Sequence, residues 1–199
     1  MIGAGHGQMK CLKERYRRLE MINDLTIPIA KYEISFIDDP YLRPSFVIYC
    51  CGCPHRCKNC QNKELQDAAS PLCTQVQVED ICNYIKTIDS VLIDCIVYLG
   101  GDFGLYKQQY YLISKTAKEC GFQNTLYTGY KFEILDYKFK KYTDIIIDGK
   151  YKEEQKQNIF PASKNQRIWQ KISDNWVIIN PIDLPINKEQ AKQGGANEI

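Results

Sequence analysis

Residues 91–101 read VLIDCIVYLGG: apolar at nearly every position, then closed by Gly100 and Gly101. A strand with one wet face alternates apolar and polar side chains. A continuous apolar run instead describes a strand covered on both faces, as when helices pack against a parallel sheet. The flanking sequence fits that frame. KYEISFI (31–37) and SFVIYC (45–50) read as strands, and VEDICNYIKTI (78–88) repeats apolar groups at helical spacing. LYKQQYYLISKTAKEC (105–120) reads as a helix with Gly121 placed to cap its C-terminus. NTLYT (124–128) follows as a strand, KFEILDYKF (131–139) as a helix and TDIIID (143–148) as a further apolar strand. Alternating β and α units imply right-handed crossovers and an α/β fold. About four or five such units fit, whereas a closed eight-stranded barrel takes about 250 residues. The expectation is a partial, incomplete parallel β/α barrel with its site at the C-terminal ends of the strands.

That placement brings particular loops together. Cysteine-rich sequence follows SFVIYC, GGDFG (100–104) follows the opening strand, TGY (128–130) follows NTLY, and DGKY (148–151) follows TDIII. All four should meet on one rim, where glycine lets backbone approach a ligand.

The chain has 199 residues, 26 basic and 24 acidic groups and a net charge of +2. That balance gives no reason to expect nucleic acid or an anionic membrane as partner. No apolar run is long enough to span a bilayer and the N-terminus lacks the apolar core of a signal peptide, so a cytoplasmic protein is expected. GAGHGQ (3–8) has no strand before it and a misplaced third glycine, and is discounted as a dinucleotide-binding turn. Met9, Leu12, Tyr16 and Leu19 recur at helical spacing with basic residues between them, an amphipathic surface helix.

Ten cysteines in a cytosolic chain point to metal or redox chemistry before disulfides. Cys11, Cys73, Cys82, Cys95 and Cys120 stand singly among apolar residues and read as small buried hydrophobes. The cluster YCCGCPHRCKNCQN (49–62) needs a chemical account. Cys53, Cys57 and Cys60 stand at C-x3-C-x2-C, one ligand short of a closed tetrahedral site. Three thiolates can hold a [4Fe–4S] cluster by three irons and leave the fourth open, the mark of a catalytic site. An amine and a carboxylate, as S-adenosylmethionine carries beside its sulfonium, could chelate the open iron. Zinc is the alternative, with Cys50 or Cys51 as fourth thiolate or His55 as imidazole. It lacks a second CxxC or HxxxH downstream.

GCPHRCKNCQN, LGGDFG, LYTGY, DIIIDGKY and SKNQRIW occur in this order over roughly residues 31–170. The sequence thereby resembles the radical S-adenosylmethionine superfamily and, within it, the activating proteins of anaerobic ribonucleoside-triphosphate reductase. The resemblance implies an abbreviated α/β barrel from 31 to 170, an N-terminal helical extension (1–30) and a C-terminal extension without assigned role (171–199). It implies Cys53, Cys57 and Cys60 as ligands of one [4Fe–4S] cluster, with S-adenosylmethionine as second cofactor. Gly100, Gly101 and Asp102 would receive its methionine amine, with Asn59 and Gln61 beside the adenosine. Thr128, Asp148 and Lys150 are candidate ribose or carboxylate contacts. The implied activity is formation of a 5′-deoxyadenosyl radical that installs a glycyl radical on the large reductase subunit, with flavodoxin or ferredoxin as electron donor. Another glycyl-radical enzyme as target, or a non-catalytic zinc or cluster module, are the alternatives. Phe103 stands where most of the superfamily has proline, Asn59 where an aromatic residue is frequent, and Ala162–Ser163–Lys164 where Gly-Ser-Ser is usual; Cys50 and Cys51 are additional.

Overall fold

The computed structural model describes residues 25–188. His6, Cys11, the periodic segment from Met9 to Leu19 and the tail from residue 189 lie outside the described residues. The described chain runs β1 (Thr26–Ser35), β2 (Ser45–Cys50), β3 (Thr74–Gln77), α1 (Val78–Ile85), β4 (Cys95–Gly100), α2 (Lys107–Glu119), β5 (Gln123–Thr128), α3 (Tyr137–Lys141), β6 (Ile145–Asp148), β7 (Arg167–Ile172) and β8 (Asn175–Ile179). The strands form one open sheet in the order β3-β1-β2-β4-β5-β6-β7-β8. Its centre, β2-β4-β5-β6, is parallel. Both flanks are antiparallel, which corrects the expectation of a parallel sheet throughout. β1 turns back on β2 over a short connection, and β7 and β8 form a hairpin. Only the central strands have the crossovers that parallel pairing requires.

The helices α1, α2 and α3 pack on one face. There Phe46, Ile48, Ile96, Tyr98 and Leu126 meet Ile81 and Ile85 of α1, Tyr110, Ile113 and Ala117 of α2, and Phe139 of α3. The other face is also apolar, and loops and the short helical stretch at 185–188 cover it. Leu65 and Cys73 pack near Val47, Tyr49 and Val97, while Tyr41, Phe160, Leu184 and Ile186 pack near Ile145 and Ile147. The central strands are thus covered on both faces, with α1, α2 and α3 on one, and the other carries the cavity described below.

α2 ends as expected. Gly121 has φ +91°, Phe122 N–H donates to the Ala117 carbonyl at 3.0 Å and Gly121 N–H to that of Lys118 at 3.1 Å, a Schellman closure. Two local expectations need correction. Val91 and Leu92 are 87% and 69% exposed and precede β4 in a turn held by the Asp89 carboxylate, which accepts from Val91 N–H at 2.8 Å. KFEILDYKF is not one helix but a 3-10 turn at Phe132–Ile134 followed by α3. Asp136 caps Lys138 N–H at 2.9 Å and starts a new helix there. The boundaries at 30/31 and 170/171 fall inside β1 and β7. No helix among the described residues is long and apolar enough to cross a membrane.

Candidate metal centre

A cavity of about 630 Å3 opens at the C-terminal ends of the parallel strands, within the range of small-ligand and cofactor sites. Cys53, Cys57, Asn59, Cys60, Gln61, Gly100, Gly101, Asp102, Thr128 and Lys150 all line it. The sheet register brings them there: Cys50 of β2 lies beside Gly100 of β4, and Thr128 of β5 beside Asp148 of β6. Gly101 N–H donates to the Cys50 carbonyl and Asp102 N–H to that of Gly52, each at 2.7 Å. A Cβ at Gly101 would stand 2.2 Å from the Gly52 oxygen, so only glycine fits. From the other side Gly52 N–H donates to Leu65 O at 2.8 Å and Cys53 N–H to Gln66 O at 2.9 Å. Tyr106 hydroxyl donates to Cys51 O at 2.7 Å. The start of the cysteine loop is thus fixed on both sides before it curls through Arg56 and Asn59, at φ +46° and +55°.

The thiols of Cys53, Cys57 and Cys60 are half-buried. Burial pushes Cys53 and Cys57 up in pKa, while backbone hydrogen bonds at Cys53 from His55 and Arg56, and at Cys57 the Lys150 charge and a hydrogen bond from Tyr151, act the other way. Donors of this kind fit thiolate sulfurs bound to an iron–sulfur cluster. Among the described residues no group of three or more His, Cys, Asp or Glu side chains is gathered around a metal position, which bears on zinc and cluster alike. A closed zinc site needs a fourth protein ligand besides the three thiols. The suggested fourth ligands are engaged elsewhere: Cys50 lies buried in the core on the helix-covered face, and His55 Nε2 meets Asp102 Oδ2 at 2.8 Å.

Cys51 is bonded to Cys73, with Cα atoms 6.2 Å apart. This corrects the reading of Cys73 as a solitary hydrophobe. The chain after the 3-10 turn at Lys63–Leu65 returns beside the end of β2, a contact that sequence spacing does not reveal. Of the other cysteines read as buried, Cys95 is buried, and Cys82 and Cys120 are half-buried.

Asp102 differs from expectation in its role. Its Oδ1 accepts from Gly104 N–H at 2.7 Å and Thr128 Oγ1 at 2.9 Å; its Oδ2 accepts from His55 Nε2 and Gly129 N–H, both at 2.8 Å. A carboxylate offers about four lone-pair directions. All are taken in a side chain 1% exposed, so Asp102 braces the rim and has no free acceptor for an ammonium group. Thr128, whose hydroxyl donates to Asp102 and accepts from Tyr130 N–H at 3.2 Å, belongs to the same brace. Asp148 does not reach the cavity wall. It is buried, accepts from Phe132 N–H at 2.7 Å and pairs with the Arg167 guanidinium. Arg167 also grips Glu133 in a bidentate pair at 2.7 and 2.8 Å. The NQR motif is a clip: Asn165 donates to Lys150 O at 2.9 Å, and Gln166 accepts from Ser163 N–H at 3.1 Å. Lys150 and Gln61 remain exposed at the cavity, and Asn59 hydrogen-bonds Glu153. Phe103 is fully buried, edge-on to Tyr98 at 5.2 Å, which accounts for an aromatic residue where proline is usual.

Sequence reading missed His55 as a bridge, Tyr106 and Tyr130 as supports, and the segment from Glu153 to Ala162 as one wall of the cavity. A histidine between two cysteines of the C-x3-C-x2-C motif was the available signal for the first; the wall has no local signature.

Residues 42–169 match the family described as a 4Fe-4S single cluster domain. The chain is an iron–sulfur protein of that single-cluster class. It is also 31% identical, over 153 residues covering 73% of this chain and 94% of the relative, to the anaerobic ribonucleoside-triphosphate reductase-activating protein of Enterobacteria phage T4. The chain belongs to the family of these activating proteins. A fold likeness extends to the crystal structure of QueE from Escherichia coli, with TM-score 0.48 and 17% identity over 56% of each chain.

Proposed function

We propose that this protein activates an anaerobic ribonucleoside-triphosphate reductase by S-adenosylmethionine-dependent radical chemistry, on a partial β/α barrel. The observation that carries this reading is the meeting of three half-buried thiols, Cys53, Cys57 and Cys60, with the Gly100–Gly101 backbone and Lys150 around one cavity. Those three thiols would hold a [4Fe–4S] cluster and leave one iron for substrate. When bound, the cluster supplies one electron that splits S-adenosylmethionine into methionine and a 5′-deoxyadenosyl radical, which takes a hydrogen atom from a glycine of the reductase.

The polypeptide needs no general base for this. Its residues bind, orient and exclude water. The backbone of Gly100 and Gly101, held against Cys50 and Gly52, lines the cavity and would meet the methionine amine. Lys150 offers a cation to the carboxylate, and Asn59 and Gln61 offer polar contacts to the adenosine. Tyr49, Leu99, Tyr127 and Ile147 make an apolar floor that keeps water from a reactive radical. The open sheet leaves a lateral approach for a glycine-bearing loop of a large partner. A flavodoxin or ferredoxin is the proposed reductant.

Anaerobic reconstitution tests the reading. The expected product holds about four irons per chain and, with dithionite, converts S-adenosylmethionine to 5′-deoxyadenosine. With the reductase added it should raise a glycyl radical signal. Stoichiometric zinc and no reductive cleavage would establish a metal-stabilised binding module instead.

A further inference from the structure

We propose that His55 is a positioning residue that tethers the cysteine loop to the glycine loop, and so sets how S-adenosylmethionine spans the two; the second half rests on the activase reading above. His55 lies between Cys53 and Cys57, yet its side chain leaves its own loop. Nε2 meets Asp102 Oδ2 at 2.8 Å, and the ring sits edge-on to Tyr130 at 4.6 Å between centroids. A Cβ at Gly129 would fall 2.2 Å from the imidazole Cδ2, so the loop after β5 is shaped around this ring. The side chain is 12% exposed and its partner 1%, so water competes poorly for the bond.

The Asp102 carboxylate accepts, so Nε2 carries the hydrogen, which it does in the neutral tautomer as well as in the cation. One side chain of the cysteine loop thereby joins a carboxylate that also holds Gly104, Thr128 and Gly129. Loops after β2, β4 and β5 become a single unit. A ligand reaching from a cluster-bearing loop to the Gly100–Gly101 backbone depends on their separation. Shifts of about 1 Å in a positioned substrate are costly to rate.

The test uses the full-length chain, before and after anaerobic reconstitution, as wild type, His55→Phe and His55→Gln. Phenylalanine keeps the ring and removes the donor; glutamine restores a donor. His55→Phe should retain the wild-type iron content. Amide exchange at Gly104 and Gly129 should quicken about tenfold, and half-saturation for S-adenosylmethionine should rise about tenfold, with turnover at saturation changed much less. His55→Gln should return both to within about twofold. Unchanged exchange and half-saturation in His55→Phe would overturn the proposal. So would equal loss of iron in both variants, which would make His55 a support of the cysteine loop alone. The exchange contrast without cleavage by wild type would uphold the tether and overturn the activase reading.

Discussion

Gly101 shows how little freedom the site leaves its residues. A methyl group there would stand within 3 Å of three backbone atoms of Gly52, none of which a rotamer change can move. Gly101→Ala should therefore destabilise the fold by about 2–3 kcal/mol and lower iron retention, read by thermal unfolding and iron assay. Gly121→Ala meets nothing within 4 Å and should cost only the strain of its φ of +91°, about 1–2 kcal/mol, with iron retention intact. Equal loss of iron in both would contradict the close-approach argument. The cysteines separate in the same way. Cys57→Ala should abolish cluster and cleavage. Cys51→Ala should retain both while losing the 22-residue bridge to Cys73, worth about 3 kcal/mol where that bridge is formed. The C-x3-C-x2-C spacing was legible in the sequence because it is local. The roles of Asp102 and Asp148 were not, because His55 and Arg167 lie 47 and 19 residues away in the chain.

At the scale of elements, the loop after β6 is held by the clip of Arg167, Asp148 and Glu133. Arg167→Met would leave Asp148 buried without its cation and should cost about 2–3 kcal/mol, seen as a lowered denaturation midpoint. Glu133 is exposed, and its hydrogen bonds to Arg167 hold its pKa at about 2, below the ordinary carboxylate value of 4.5. A depressed folded-state pKa gives stability that is fully present above the unfolded value and lost as pH falls through the folded one. The gap in unfolding midpoint between wild type and Glu133→Gln should therefore be largest above pH 5 and close as pH falls toward about 2. A constant gap would mean that the ion pair contributes nothing. Apolar runs marked β2, β4, β5 and β6, and the Gly121 stop marked the end of α2. The break in KFEILDYKF depended on the Asp136 cap, a competing local bond inside an otherwise helical pattern.

Over the whole molecule, the residues after 170 complete the sheet rather than append to it. Trp169 stacks on Phe132 at 4.1 Å, Trp176 meets the same ring at 5.3 Å, and β7 covers the edge of β6. Removal of residues 167–199 should give an unfolded or aggregated chain, because β6 would become a long-buried edge exposed to other chains. The antiparallel flanks escaped the sequence reading for a physical reason: apolar pattern reports burial on both faces and says nothing about strand direction. The same limit hid which side the helices take and where the cavity opens.

The central claim is that Cys53, Cys57 and Cys60 hold a cluster whose remaining iron faces S-adenosylmethionine across the Gly100–Gly101 backbone. Electron–nuclear double resonance on the reduced, reconstituted protein tests it directly, with S-adenosylmethionine isotopically labelled at its amine nitrogen and carboxylate oxygens. The account predicts hyperfine coupling of both labels to the cluster in wild type and in Cys51→Ala. A cluster that forms with no coupling to either label would contradict it.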